Sequence, residues 1–169
     1  MLNRRLAILS LLLAAAAPLA GLAVESVQQD EVARFQAIAD AVWEFDMVED
    51  PLYATAVGDH RFNDRLPSES LEDQLRRQKQ LKDFLAQLDQ IDRTKLPRPE
   101  QINYDIFSRL LRDRVKEYEF ESYLIPITNR EGFHLDFVEA PNRFPFRDVR
   151  DYENYISRMR DFRRYMAEH

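Results

Sequence analysis

The sequence predicts an all-α protein, an irregular helical bundle interrupted by one aromatic-rich extended or loop segment. Three observations lead there. Apolar residues recur at alternating three- and four-residue spacing through most of the chain, the period of an amphipathic helix. Prolines and glycines fall between those periodic stretches rather than inside them. Only between Phe120 and Phe146 does the period fail, and there phenylalanines crowd together.

The first helix is expected from Asp30 as N-cap, through Val32, Phe35, Ile38, Ala39, Val42, Phe45 and Met47, to about Asp50. The residue before Pro51 is pushed out of the helical region, which sets that end. Pro51 then opens a short helix over Leu52 to Val57, with Gly58 as its stop. Residues 59–67 read as a charged loop. Ser70 followed by Asp73 resembles a capping box, with Asp in place of Glu, and starts a third helix. Its apolar face is Leu71, Leu75, Leu81, Phe84, Leu85, Leu88 and Ile91. Arg76, Arg77, Lys79, Lys82 and Asp83 are expected opposite, in solvent.

Residues 94–99 are a linker, and Pro99 suits the first turn of the next helix, carried by Ile102, Ile106, Leu110, Leu111, Val115 and Tyr118. Tyr123-Leu124-Ile125-Pro126-Ile127 is β-prone, but its proline confines it to an edge strand or an extended lining segment. Gly132-Phe133-His134 and Ala140-Pro141-Asn142 read as turns. The aromatics Phe133, Phe137, Phe144 and Phe146 must pack against something, either as core or as channel lining. Asp148 caps a last helix through Val149, Tyr152, Ile156, Met159, Phe162 and Met166. That helix is still in register at His169 with no stop signal after it, so the chain is expected to be part of a larger domain whose C-terminal part is absent.

The 169 residues hold 24 Lys+Arg against 30 Asp+Glu, for a net charge of −6, with no cysteine and three histidines. That balance argues against a phosphate-backbone binder, since nucleic-acid modules carry a basic face or stripe. The missing thiols exclude disulfide scaffolds, thiolate zinc sites and cysteine nucleophiles. At the N-terminus, Arg4 and Arg5 precede an apolar run from Leu6 to Ala17, broken at Pro18 and followed by Gly21-Leu22-Ala23. This is the pattern of a signal peptide over residues 1–23, cleaved after Ala23. The apolar run falls short of the ~20 residues that span a bilayer, which favours a cleaved signal that leaves no stable membrane anchor over the competing reading of an uncleaved anchor. The chain is expected to be exported, to the periplasm or beyond, with residues 24–169 as its mature helical portion.

Asp59-His60-Arg61 is the most suggestive polar cluster. It could reach towards a cleft, with His60 donating to substrate or orienting a carboxylate. Alternatively Asp59 caps a turn and His60 makes a structural hydrogen bond, which is the favoured reading. His134, among aromatics, leans towards packing. There is no Gly-x-Ser-x-Gly elbow, and Ser68, Ser70, Ser108, Ser122 and Ser157 sit at caps or on helices. No catalytic residue and no metal ligand is assigned. The arginines from Arg158 to Arg164 alternate with acids and are expected to be solvated.

The segment from Asp50 to Asp64, DPLYATAVGDHRFND, resembles the N-terminal region of bacterial proteins grouped as domain of unknown function 885. The likeness continues through Asn103-Tyr104-Asp105-Ile106-Phe107, Tyr123 to Ile127, Gly132-Phe133-His134 and Phe146-Arg147-Asp148-Val149-Arg150-Asp151-Tyr152. Arg163 departs from it, standing where a helix-breaking proline is expected. The resemblance implies an exported, largely helical, zinc-metallopeptidase-like fold of several hundred residues. Its His-Glu-x-x-Pro-Gly-His type helix, where two histidines would bind zinc beside a glutamate base, lies in a distant C-terminal part. Nothing in this sequence matches that helix. The resemblance therefore implies a non-catalytic scaffold portion, inactive alone, that helps wall a peptide-substrate cleft. Zinc would belong to the full-length parent, and the partner would be the absent C-terminal portion of the same protein. The rival reading is a self-sufficient small helical binding module of the periplasm.

Overall fold

The computed structural model describes residues 17–130 and 132–169. The signal-peptide reading of residues 1–16, including Arg4, Arg5 and most of the apolar run, lies outside the described residues. Among them there are six α-helices: α1 (Ala17–Glu49), α2 (Pro51–Ala56), α3 (Leu71–Leu88), α4 (Arg98–Glu119), α5 (Phe133–Glu139) and α6 (Val149–Glu168). Short 3₁₀ turns connect them, and no strand forms among the described residues. The all-α expectation therefore holds.

The core lies between α1, α3 and α4. Phe35 and Val42 of α1 meet Leu81, Phe84 and Leu88 of α3, Leu111 and Val115 of α4, and Ile91 and Leu96 from the connection. Phe35 is ringed by Tyr104 and Phe107 at 5.9 Å each, and Phe45 stands edge-on to Phe84 at 5.6 Å. Polar bonds lock the same helices together. The buried Glu31 carboxylate accepts from the backbone N–H of Asp92, 61 residues on. Arg114 forks onto Asp46 at 2.6 and 3.0 Å.

The caps follow the sequence. Asp50 accepts from the N–H groups of Leu52 and Tyr53, Ser70 from Asp73, and Asp148 from Asp151. Gly58 ends the second helix at φ +93°, a conformation that strains any side chain.

Several expectations are corrected. Asp30 is not an N-cap: α1 already runs through it from Ala17. Of the two turns expected in the aromatic segment, Ala140-Pro141-Asn142 does lie in a 3₁₀ turn, Ala140–Arg143, whereas Phe133 and His134 open the short helix α5. The β-prone stretch begins as a 3₁₀ turn, Ser122–Leu124, and keeps only a single bridge between Ile127 and Gly132. Leu71 and Leu75 are exposed, while Gln74 and Arg77 are buried, because the start of α3 faces a polar neighbourhood rather than the core.

The largest reversal is α6. The stripe Val149, Tyr152, Ile156 and Met159 is exposed at 45–74%. The opposite side carries the buried Arg158 and Tyr165, and docks on the chain through long side chains. Phe162 stacks on Phe137 at 4.0 Å, Tyr165 meets Phe133 at 5.8 Å, and Tyr155 meets Phe144 and Phe146 at 5.8 and 5.5 Å. The aromatic segment thus packs on α6.

Candidate functional site

The loop after α2 is built by its own side chains. Asp59 accepts from the Arg61 N–H and so starts a 3₁₀ turn over His60–Phe62. The Arg61 guanidinium donates to both Asp59 oxygens and, through Nη1 and Nη2, to both Glu44 oxygens of α1 at 2.6 and 2.8 Å. Hydrogen bonds from Arg61 hold the Asp59 and Glu44 carboxyls below their ordinary range, and the two acids in turn raise the arginine. His60 is exposed on this turn. Of the three predicted residues, Asp59 and Arg61 make the structural bonds.

This loop forms one wall of an open cleft of about 680 Å³. The facing wall is the approach to α6, with Arg147, Asp148, Arg150, Asp151 and Asn154. Charges of both signs line it, so it suits a polar or zwitterionic guest better than an apolar one. His134 is exposed beside Phe133, at 5.9 Å between rings, and is not part of this cleft.

Behind the loop lies the group that sequence reasoning missed. Arg158 is 1% exposed. It donates to the backbone oxygens of Arg65 (2.7 Å), Pro51 (2.9 Å) and Phe62 (3.2 Å) and to Thr55 Oγ1 (2.8 Å). Thr55 donates onward to the buried Asn63 Oδ1 at 2.8 Å. The Phe144 ring covers the guanidinium at 4.4 Å. Burial pushes Arg158 down to about 10, since neutral oxygens and a ring compensate its charge and the nearby Asp64 and Asp50 act only through space. The expectation of a solvated Arg158-to-Arg164 face is thus corrected at its first residue. The only hint in the sequence was the position of Arg158 three residues from Tyr155 and four from Phe162.

A second, smaller pocket of about 270 Å³ opens between α1, α3 and α4, lined by Asp46, Glu49, Asp50, Glu69, Arg77 and Tyr118 among others. Buried Arg77 donates to Ser68 O at 2.6 Å and to Glu69 at 3.1 Å. Burial raises the Asp50 and Glu69 carboxyls, against the bonds that lower them. Among the described residues, no group of three or more histidine, cysteine or acidic side chains is placed to hold a metal ion.

Fold and site together define an all-helical protein with a polar cleft beside a buried arginine. Its family is clear from comparison: residues 51–169 match the family described as bacterial protein of unknown function (DUF885), and the chain belongs to it. The matched region takes in the Asp59–Arg61 loop, Arg158 and both walls of the cleft. No curated protein and no solved structure gives a significant match.

Proposed function

We propose that this chain is the non-catalytic helical scaffold of an exported, metallopeptidase-like protein, and that it helps wall a substrate cleft shared with a catalytic portion of the same polypeptide. The observation that carries this reading is the orientation of α6. A helix whose apolar stripe faces water while its buried side carries an arginine is built to be covered on its outer face. The occupant proposed for that face is the catalytic portion. Zinc and its ligands belong to that portion, and the mixed-charge cleft at Asp59, His60 and Arg61 is the part of the wall that meets a peptide substrate. Export rests on the charge and hydropathy pattern of residues 1–23. Among the described residues no helix is long and apolar enough to cross a membrane.

The test has two arms. Reading the coding frame beyond His169 should reveal a helix of His-Glu-x-x-x-x-His type. In the longer polypeptide, Ile156→Lys with Met159→Lys should lower peptidase turnover and loosen the fold, while in the present chain the pair should leave the melt unchanged and reduce binding of a hydrophobic dye. A stop codon after His169, with a compact, dye-silent monomer, would instead favour the self-sufficient binding module, a reading supported by the closed core of α1, α3 and α4.

A further inference from the structure

The buried guanidinium of Arg158 is not fully satisfied. Its hydrogen bonds all leave from Nε and Nη2, which donate to the carbonyls of Arg65, Pro51 and Phe62 and to Thr55 Oγ1. Nη1 has no acceptor among the described residues, in a side chain that is 1% exposed. Asp50 and Asp64 act on it only through space, and burial pushes its pKa down to about 10. A cation taken out of water without a counter-ion is costly to hold, and an anion at the free nitrogen would offset that cost.

Arg158 lines a recess of about 10 Å³, the room of one water-sized atom. Asn63, Pro145, Asp151 and Asn154 line both this recess and the 680 Å³ cleft, so the recess adjoins the cleft. Asn63 is engaged through its Oδ1 with Thr55. The half-buried Asn154 amide makes no hydrogen bond to the protein among the described residues. Two groups with unused donors, Arg158 Nη1 and the Asn154 amide, thus border one small opening.

The charges of the cleft divide in the same sense. Asp59 is held by Arg61, Asp64 lies 3.7 Å from Arg65, and Asp148 and Asp151 accept backbone N–H groups at the start of α6. Arg147 and Arg150 line the cleft with no ion pair among the described residues, and His60 is exposed on the other wall. The charged groups left without a partner are therefore cationic.

We infer that the inner end of this cleft is a subsite for a carboxylate group, one oxygen entering the recess to accept from Arg158 Nη1 and the Asn154 amide. A guanidinium–carboxylate bond is charge-assisted and among the stronger hydrogen bonds. The recess admits a single oxygen and leaves the second in the cleft, on the side of Arg147 and Arg150. A flat carboxylate can divide itself so, whereas the tetrahedral head of a phosphate is too broad. That the carboxylate is the C-terminus of a peptide rests on the proposed function, in which this cleft meets substrate; the subsite itself does not.

The probe is N-acetylglycine, with N-acetylglycinamide as its uncharged counterpart. Added to the full chain, N-acetylglycine should raise the melting temperature saturably and move the NMR signal of Arg158 Nε–H, and the amide should do neither. Asn154→Leu, which fills the opening and leaves Arg158 in place, should weaken binding at least tenfold without lowering the melt of the free chain. Arg147→Gln combined with Arg150→Gln should weaken it several-fold. No saturable binding, an equal response to the amide, inorganic phosphate binding as tightly, or either variant binding like wild type would overturn the proposal. Failure of the scaffold reading looks different: a longer polypeptide without peptidase activity would sink that reading and leave N-acetylglycine binding to this chain unaltered.

Discussion

Arg158 Nη2 lies 2.8 Å from Thr55 Oγ1, a bond between residues 103 positions apart in the chain. Around it the same guanidinium satisfies the carbonyls of Pro51, Phe62 and Arg65. One side chain thus pins α6 to the end of α2 and to the loop that carries Asp59, His60 and Arg61. Truncation at this position leaves several buried acceptors unpaired, each costing about 1–3 kcal/mol. Arg158→Ala should therefore destabilise the chain by roughly 3–5 kcal/mol in urea titration. Arg158→Lys should recover only part of this, because a point ammonium cannot reach the acceptors that the planar guanidinium spans. A loss under 1 kcal/mol for Arg158→Ala would contradict the pinning role.

The stripe on α6 and the core should respond in opposite ways. Ile156→Lys and Met159→Lys should each change stability by no more than about 0.5 kcal/mol. Leu111→Ala, in the centre of the α1–α3–α4 core, should cost about 2–5 kcal/mol. Comparable losses at Ile156 and Leu111 in the same denaturation series would mean that the α6 stripe is buried in solution.

The pH response separates two kinds of carboxylate. Hydroxyls of Ser68 and Ser70, with Arg76, hold Asp73 down to about 2. A depressed acid stabilises the fold above its unfolded value of about 3.9, and that contribution disappears as pH falls through the folded value. Asp73→Asn should flatten the stability profile between about pH 4 and pH 2. Asp50 is shifted the other way, raised by burial. Its ionisation therefore opposes folding, and stability declines as pH rises through its titration. Asp50→Asn keeps a competent cap for α2 and removes that penalty. It should leave the protein at least as stable at pH 7, with a flatter profile above pH 4. A marked loss at neutral pH would show that the Asp50 charge itself is needed.

The Asp59–Arg61–Glu44 fork is exposed, so its ion pairs are screened by salt. Arg61→Ala should give a small drop in melting temperature at low ionic strength that vanishes near 0.5 M salt, where the Debye length is only a few ångströms. His60→Ala should stay within about 0.5 kcal/mol of wild type. If His60 serves the cleft, turnover in a longer, active polypeptide should fall at least tenfold, ~1.4 kcal/mol of barrier, with the melt unmoved.

Glu31 offers a test of the other end of the molecule. Its buried carboxylate caps the turn at Asp92 and pairs with Arg34 at 2.9 Å. Glu31→Ala should cost about 1–3 kcal/mol, and Arg34→Ala much less, because Arg34 is half exposed. Equal effects would place the value in the ion pair rather than in the buried cap.

Local chemistry was readable from the sequence because it acts between residues a turn apart. Asp50, Ser70 and Asp148 cap helices by accepting N–H groups within three residues, and Pro51 and Gly58 bracket α2 through their own backbone preferences. The three-and-four period marked α3, α4 and α6 as helices for the same reason. Periodicity could not tell which apolar face turns inward. α4 carries two such faces and α6 presents its own to solvent, a choice made by the partners available across the chain. The Asp59–Arg61 cluster was visible as a motif, yet its bond to Glu44 spans 17 residues and depends on how α1 and α2 cross. Arg158 was the least visible of all. A charged residue in a charged stretch reads as surface, and it is buried because the α2–loop turn converges three carbonyls and a hydroxyl on one point and the Phe144 ring from beyond α5 covers it, although burial still weighs against its charge.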